Sequence, residues 1–182
     1  MKRPLVLLVI LFAALVFPSC GQGQAQAPAS LPPIEIHFSP KGGCTEAVVT
    51  ELGNAKTSVL VQAYSFTSTP IAKALLDAHK RGVKVQVILD KSQRTEKYSS
   101  ADFVQHAGIA TYIDAKHAIA HNKVMIIDGK VVITGSFNFT KAAEEKNAEN
   151  LLVIRDKGIA EKYATNWKAH LEHAEVYRGE SE

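Results

Sequence analysis

From residue 34 onward, short apolar runs and helix-length amphipathic stretches take turns along the chain. "IEIHFSP" reads as a short strand, and "CTEAVVTELGNAK" places apolar residues at 47, 48, 49 and 52, a helical spacing. "SVLVQAYSF" is a strand. "TSTPIAKALLDAHKRG" carries a full set of helix end signals: Thr69 suits the cap, Pro70 the first turn and Gly82 the stop. In "VKVQVILD" the apolar residues fall at 83, 85, 87, 88 and 89, as expected of a strand buried on both faces. Next come "SSADFVQHAG" as a short helix, "IATYID" as a strand, and a hairpin, "HNKVMIIDGKVVITGSFNFT". "NLLVIRD" is a last strand and "GIAEKYATNWKAHLEHAEVY" a closing helix. This alternation predicts one α/β domain over 34–182, a mixed central sheet with helices on both faces.

The segment before it has a different character. Lys2 and Arg3 precede an apolar run from Leu5 to Phe17, followed by small and polar residues. That is the order of a secretory signal peptide, too short in its apolar part for a spanning helix, and it predicts export to the periplasm or beyond. Cleavage after Ala25 and cleavage after Ala27 both fit, the second leaving Pro28 first. A third reading attaches a lipid at Cys20 in "FPSCG", making an outer-membrane lipoprotein. Residues 26–33 read as a linker. The 182 residues hold only two cysteines, Cys20 and Cys44, which excludes a disulfide scaffold and a thiolate metal site. Cys44 reads as a small buried residue near a helix start. A composition of 46% hydrophobic and 21% charged residues suits one globular domain, and the net charge of +3 permits an anionic partner without requiring one.

Asp128-Gly129 between two apolar strands is a strong two-residue hairpin signal. With those two as the turn, Lys123 lies opposite Thr134 and His121 opposite Ser136. Side chains two apart share a face, so His121, Lys123, Ser136 and Asn138 gather on one patch. An ammonium with neutral donors suits a phosphate oxyanion. Histidine supplies the nucleophile or acid near neutral pH. The patch reads as a phosphoryl-transfer site.

"HNKVMIIDGKVVITGSFN" fits the pattern H-x-K, four residues, D, six residues, G-S-x-N, and so resembles the phospholipase D superfamily. "AYSFTS" and "GSFNFTKAAEEKNAEN" are similar to its small secreted bacterial endonucleases, the Nuc type, and the resemblance runs from about Ile34 to the closing helix. It implies a phospholipase D-like α/β/α sandwich. It also implies His121 as the nucleophile that forms a phosphohistidine, with Lys123, Ser136 and Asn138 holding phosphate oxygens. Glu149 in "NAEN" matches the glutamate that orients the catalytic histidine. Asp128 matches the motif aspartate, counted with the catalytic set but more structural in role. No cofactor is implied.

A phosphohistidine route needs a second histidine to protonate the leaving oxygen, and the chain has one copy of the motif. A two-fold homodimer that brings two copies of His121 to the axis is the economical answer, with His37, His79, His106 and His117 as rival partners. Activity should then trace a bell in pH. The expected substrate is DNA, with RNA open, read without sequence preference, since phosphate contacts carry no base information. Basic residues Lys80, Arg81, Lys84, Lys91, Arg94 and Lys97 are expected near the active face. Three rivals stand beside this metal-independent endonuclease. One is a lipid phosphodiesterase, another a metal-dependent nuclease built on the His117/His121 spacing, and the third a binding protein that keeps the fold without catalysis, against which the intact motif argues.

Overall fold

A computed structural model describes residues 33–179. The expected leader, its cleavage points and Cys20 lie outside them. The elements run β1 (Ile34–Ser39), α1 (Cys44–Asn54), β2 (Ser58–Ala63), α2 (Thr69–Lys80), β3 (Lys84–Asp90), a short 3-10 turn, α3 (Ala101–His106) and β4 (Ala110–Asp114). They continue as β5 (Lys123–Ile127), β6 (Val131–Gly135), α4 (Lys141–Glu145), β7 (Glu149–Arg155), α5 (Lys157–Leu171) and β8 (Glu175–Val176). The eight strands form one sheet in the order β1-β7-β6-β5-β2-β3-β4-β8.

β2, β3 and β4 are parallel, joined by helical crossovers, while β5, β6, β7 and β1 pair antiparallel beyond β2. One edge of the sheet therefore collects the carboxyl ends of β1, β2, β3, β4 and β6 together with the amino ends of β5 and β7. Strand alternation divides the apolar residues between the two faces. Val61, Val85, Val87, Met125, Ile133 and Val153 pack under α1 to α4. On the other face Ile88, Val124, Ile126, Val132 and Ile154 pack under α5, whose Trp167 is buried and donates its Nε1–H to Val61 O at 2.8 Å. The mixed sheet with helices on both faces is the predicted architecture. Cys44 is fully buried at the start of α1, and burial pushes its thiol up to about 11.

Several expectations need correction. The hairpin turn does use Asp128 (φ 53) and Gly129 (φ 61), closed by Lys130 N–H to Ile127 O at 3.0 Å. Pairing then resumes with Ile127 opposite Val131 rather than Lys130, so Val124, not Lys123, faces Thr134. Lys130 is the extra residue of a bulge at the turn, and every pair above it moves by one. Secondly, β5 starts at Lys123, so His121 precedes the ladder instead of lying in it. Thirdly, the closing helix stops at Leu171, and Glu175–Val176 adds a two-residue strand to β4, continued by Tyr177 N–H to Thr111 O. The open edge of β4 offers backbone partners that a longer helix would leave unused. Fourthly, α4 has no counterpart among the predicted elements. Thr140 caps it by accepting Ala143 N–H at 3.1 Å, a local signal hidden inside the motif. The cap of α2 also moves by one residue, to Ser68.

Candidate active site

Every motif residue except Asp128 lies at the edge where β5 and β7 begin and β6 ends. Lys123 opens β5 and is 6% exposed. Its Nζ donates to His121 O at 3.0 Å and stands 5.1 Å from the centre of the Tyr64 ring. Burial draws this ammonium below the ordinary lysine value, and the charge of Glu149 pulls it part of the way back. A cation in a half-dry site, with a carboxylate near enough to act on it by charge, suits an anionic oxygen.

His121 is exposed, and its ring packs against Tyr64 with centroids 4.6 Å apart at a 55° tilt. Tyr64 follows β2, and its N–H to Asn122 O at 2.8 Å extends the β2–β5 pairing to the neighbour of His121. This tyrosine aligns His121 and Lys123 on one ring. Sequence reasoning left it without a role, although it stands in the quoted "AYSFTS".

The end of β6 is shaped by Gly135. Its φ of 146° and the close approach of Asn150 O, 2.3 Å from where a Cβ would sit, demand glycine. Asn150 O then accepts two successive N–H groups, from Ser136 (3.1 Å) and Phe137 (3.2 Å), a bulge that turns Ser136 outward. Ser136 Oγ accepts from Asn150 N–H at 3.0 Å and faces Asn150 Nδ2 at 3.3 Å. Its own proton is free for another acceptor. Asn138 follows on the segment that Phe139 ties to Phe66, Thr67 and Ser68; its Oδ1 is buried without a hydrogen-bond partner.

Glu149 opens β7 opposite Ser39. Its carboxylate accepts from Asn147 Nδ2 at 3.3 Å and acts by charge on Lys123; it makes no hydrogen bond to His121 among the described residues. Asp128 is at the other end of β5, five residues away, about 16 Å at strand rise. There it accepts the N–H groups of Lys56, Thr57 and Ser58 and the Thr57 hydroxyl. Burial raises its carboxyl, but those donors outweigh burial and hold it below the usual carboxylate range. It fastens the hairpin turn to the start of β2 and does not touch the site.

The basic residues divide in the same way. Lys91, Arg94 and Lys97 follow the carboxyl end of β3 on the site edge. Lys80, Arg81 and Lys84 lie at the far end, where Arg81 donates to Leu52 O at 2.8 Å. Helix reversal between α2 and β3 puts them there. His117 does not join His121. It faces Asp114, with His170 and His173 beside it, and residues 115–122 are irregular rather than helical.

Residues 48–171 match the cardiolipin synthase, PLD-like domain. Phospholipase D of Rickettsia felis is 47% identical over 130 residues, which are 71% of this chain and 65% of that protein. The chain thus spans less than two thirds of the length of that relative. Nuc from Salmonella typhimurium, a phospholipase D family member, superposes with a TM-score of 0.78 at 40% identity, over 81% of this chain and 99% of Nuc. NucT from Helicobacter pylori superposes with a TM-score of 0.71 at 26% identity, over 80% of this chain and all (100%) of NucT. With the family match spanning most of the described residues, and Nuc aligned end to end on the same fold, this chain belongs to the phospholipase D superfamily.

Proposed function

We propose that the chain is an exported phosphodiesterase that cleaves nucleic acid, with little base preference, through a phosphohistidine on His121. The observation that carries this reading is an exposed imidazole, held on Tyr64 and making no ring hydrogen bond among the described residues, beside a buried ammonium at the sheet edge. In the first step a ring nitrogen of His121 attacks phosphorus and the bond to one ester oxygen breaks. That oxygen takes a proton from the His121 of a second copy across a two-fold axis. Water then attacks the phosphohistidine, the second imidazole accepts its proton, and His121 is released. Lys123, Ser136 and Asn138 hold the non-bridging oxygens, where charge grows in the transition state. Glu149 reaches the histidine pair through Lys123 in the single chain and through the ring itself when the dimer closes.

The positive side chains Lys91, Arg94 and Lys97 on this edge favour a polyanionic substrate. A second reading, hydrolysis of a phospholipid head group, is favoured by exposed Ile119, two residues from His121 (57% exposed), and by the name of the Rickettsia relative. The deciding experiment incubates the protein with plasmid, single-stranded DNA and phospholipid vesicles, beside His121→Ala, with intact-mass analysis of quenched reactions. Cleaved DNA and an acid-labile adduct on wild type alone support the proposal. Head-group release with intact DNA overturns it in favour of the lipid reading.

A further inference from the structure

The chain has a second histidine cluster, apart from the proposed nucleophile. Asp114 ends β4 with no exposed surface, and three imidazoles converge on it. His117 Nδ1 lies 3.1 Å from Oδ1 and 3.0 Å from Oδ2. His170 Nδ1 lies 2.7 Å from Oδ2. His173 Nε2 is buried and stands 3.4 Å from Oδ1, outside hydrogen-bonding geometry. One atom from each of the four residues falls within 4.8 Å of every other. The three rings tilt against one another at centroid distances of 4.9, 5.2 and 5.5 Å, and do not stack face to face.

The separations from Asp114 approach those of a coordination shell. Ligands about 2.0–2.1 Å from a tetrahedral ion stand roughly 3.3–3.4 Å from one another. The observed separations from Asp114, 2.7 to 3.4 Å, match that edge to within a few tenths of an ångström for His117 and His173 and ask His170 to withdraw slightly. Asp114 already takes two imidazole nitrogens and the Lys116 N–H at 3.2 Å, while the buried Nε2 of His173 is left without a hydrogen-bond partner. A cation would give that nitrogen a partner. We infer that Asp114, His117, His170 and His173 form a closed N3O site for a divalent first-row cation of the Zn²⁺ class. Four protein ligands leave no open position, so the ion is structural and offers no catalytic water. The imidazoles bind through lone pairs, so loading releases to solvent any protons that those three ring nitrogens carried.

The placement gives the ion a task. His170 stands in the last turn of α5 and His173 just beyond it, Asp114 ends β4, and His117 belongs to the loop that leads to His121 four residues on. Asp90 already holds that loop at Ala120, accepting its N–H at 2.7 Å, and Lys91 Nζ holds His117 O at 3.1 Å. The ion would fasten the same loop to the end of α5. Sensitivity to a chelator is then expected of a nuclease whose chemistry uses no metal. It would develop as slow inactivation and a lower Tm, and would not stop cleavage at once.

The test uses the chain purified without a histidine tag, stripped with EDTA, dialysed, and titrated with ZnCl₂ in a calorimeter while Tm is followed. One Zn²⁺ per chain is expected, with a Tm rise on the order of 5–10 °C at a hundredfold excess over Kd. Cobalt(II) should give the visible absorption of a tetrahedral site. His173→Gln and His117→Gln, at the more exposed positions of the cluster, should each weaken Zn²⁺ binding at least about tenfold, whereas His121→Ala should bind Zn²⁺ like the wild type. Absence of binding and an unmoved Tm in the wild type would overturn the inference. So would unchanged affinity in both glutamine variants, which would place the ion elsewhere. Neither result touches the phosphohistidine reading, which the DNA assay decides separately.

Discussion

His117 and His121 are four residues apart in one loop, yet their surroundings share almost nothing. His121 is exposed, and its ring leans on Tyr64 with no hydrogen bond among the described residues, which leaves a ring lone pair available. His117 is drawn onto a fully buried carboxylate with two more imidazoles, so its nitrogen is already spoken for. On the proposed reading, one imidazole is kept for chemistry and the other is used as an anchor. Neither outcome belongs to histidine as a residue type. Both follow from what the sheet edge places opposite: an aromatic face and an ammonium in one case, Asp114 in the other.

The contrast breaks most visibly on exchange. His121→Ala should lower cleavage by at least about a thousandfold, more than about 4 kcal/mol of transition-state stabilisation, with Tm unmoved because an exposed ring holds little of the fold. His117→Ala should do the reverse, lowering Tm and sparing most of kcat at low temperature. Steady-state kinetics beside thermal melts of the two variants checks both, and equal losses of kcat would erase the distinction.

Lys123→Met sharpens the active half of the comparison. Removal of the phosphate-facing cation should cost about 10²–10³ in kcat while leaving Tm unchanged or raised, since the buried charge opposes folding. The pH dependence follows with a definite sign. Burial lowers the Lys123 pKa in the folded chain, so the unfolded chain keeps that proton to higher pH. Between the lowered value and about 10.4 the stability contribution of this group therefore rises with pH, while activity falls as the cation is lost. Melts and rates across the alkaline range should move in opposite directions in wild type and not in Lys123→Met.

Gly135→Ala tests whether the bulge that presents Ser136 is built by backbone. A Cβ 2.3 Å from Asn150 O must displace one strand or the other, at a cost on the order of 1–3 kcal/mol, with a raised KM as Ser136 moves. The smallest effect is expected at Asp128→Asn, which keeps a residue tolerant of positive φ and removes the charge. A loss of about 1 kcal/mol with unchanged kcat is expected. Because the native Asp128 carboxyl is held below its ordinary value, its contribution is present above about pH 4 and fades as pH falls through the folded value. The gap between wild type and variant should close in acid, as denaturant melts would show.

Much of this was legible in the chain itself. Alternation and end signals delimit most of the elements, because a strand or helix must bury a face and the period of that face is written locally. The motif spacing names His121, Lys123, Ser136 and Asn138, the family resemblance adds Glu149, and Asp128-Gly129 announces its turn, since positive φ at two successive positions restricts the residue types that serve. "VILD" and "TYID" also end parallel strands with Asp90 and Asp114, directly paired in register at the edge where ligands bind such sheets. The spacing of His170 and His173, one helical turn, was a further signal.

Other features were decided only in three dimensions. The bulge at Lys130 moved the register by one, because a turn's hydrogen bond and its flanking ladder are separate constraints that local sequence does not reconcile. The end of α5 and the existence of β8 depend on the open edge of β4, more than sixty residues earlier in the chain. Asp128 left the site although its motif belongs to it, since the strand between them is rigid and long. The gathering of Asp114, His117, His170 and His173 needed β4, the loop after it and the end of α5 to meet. Sequence determined which surfaces must be buried and which residues bear chemistry. Tertiary structure decided which of those residues face one another, because contacts between distant segments are set by packing that no local pattern encodes.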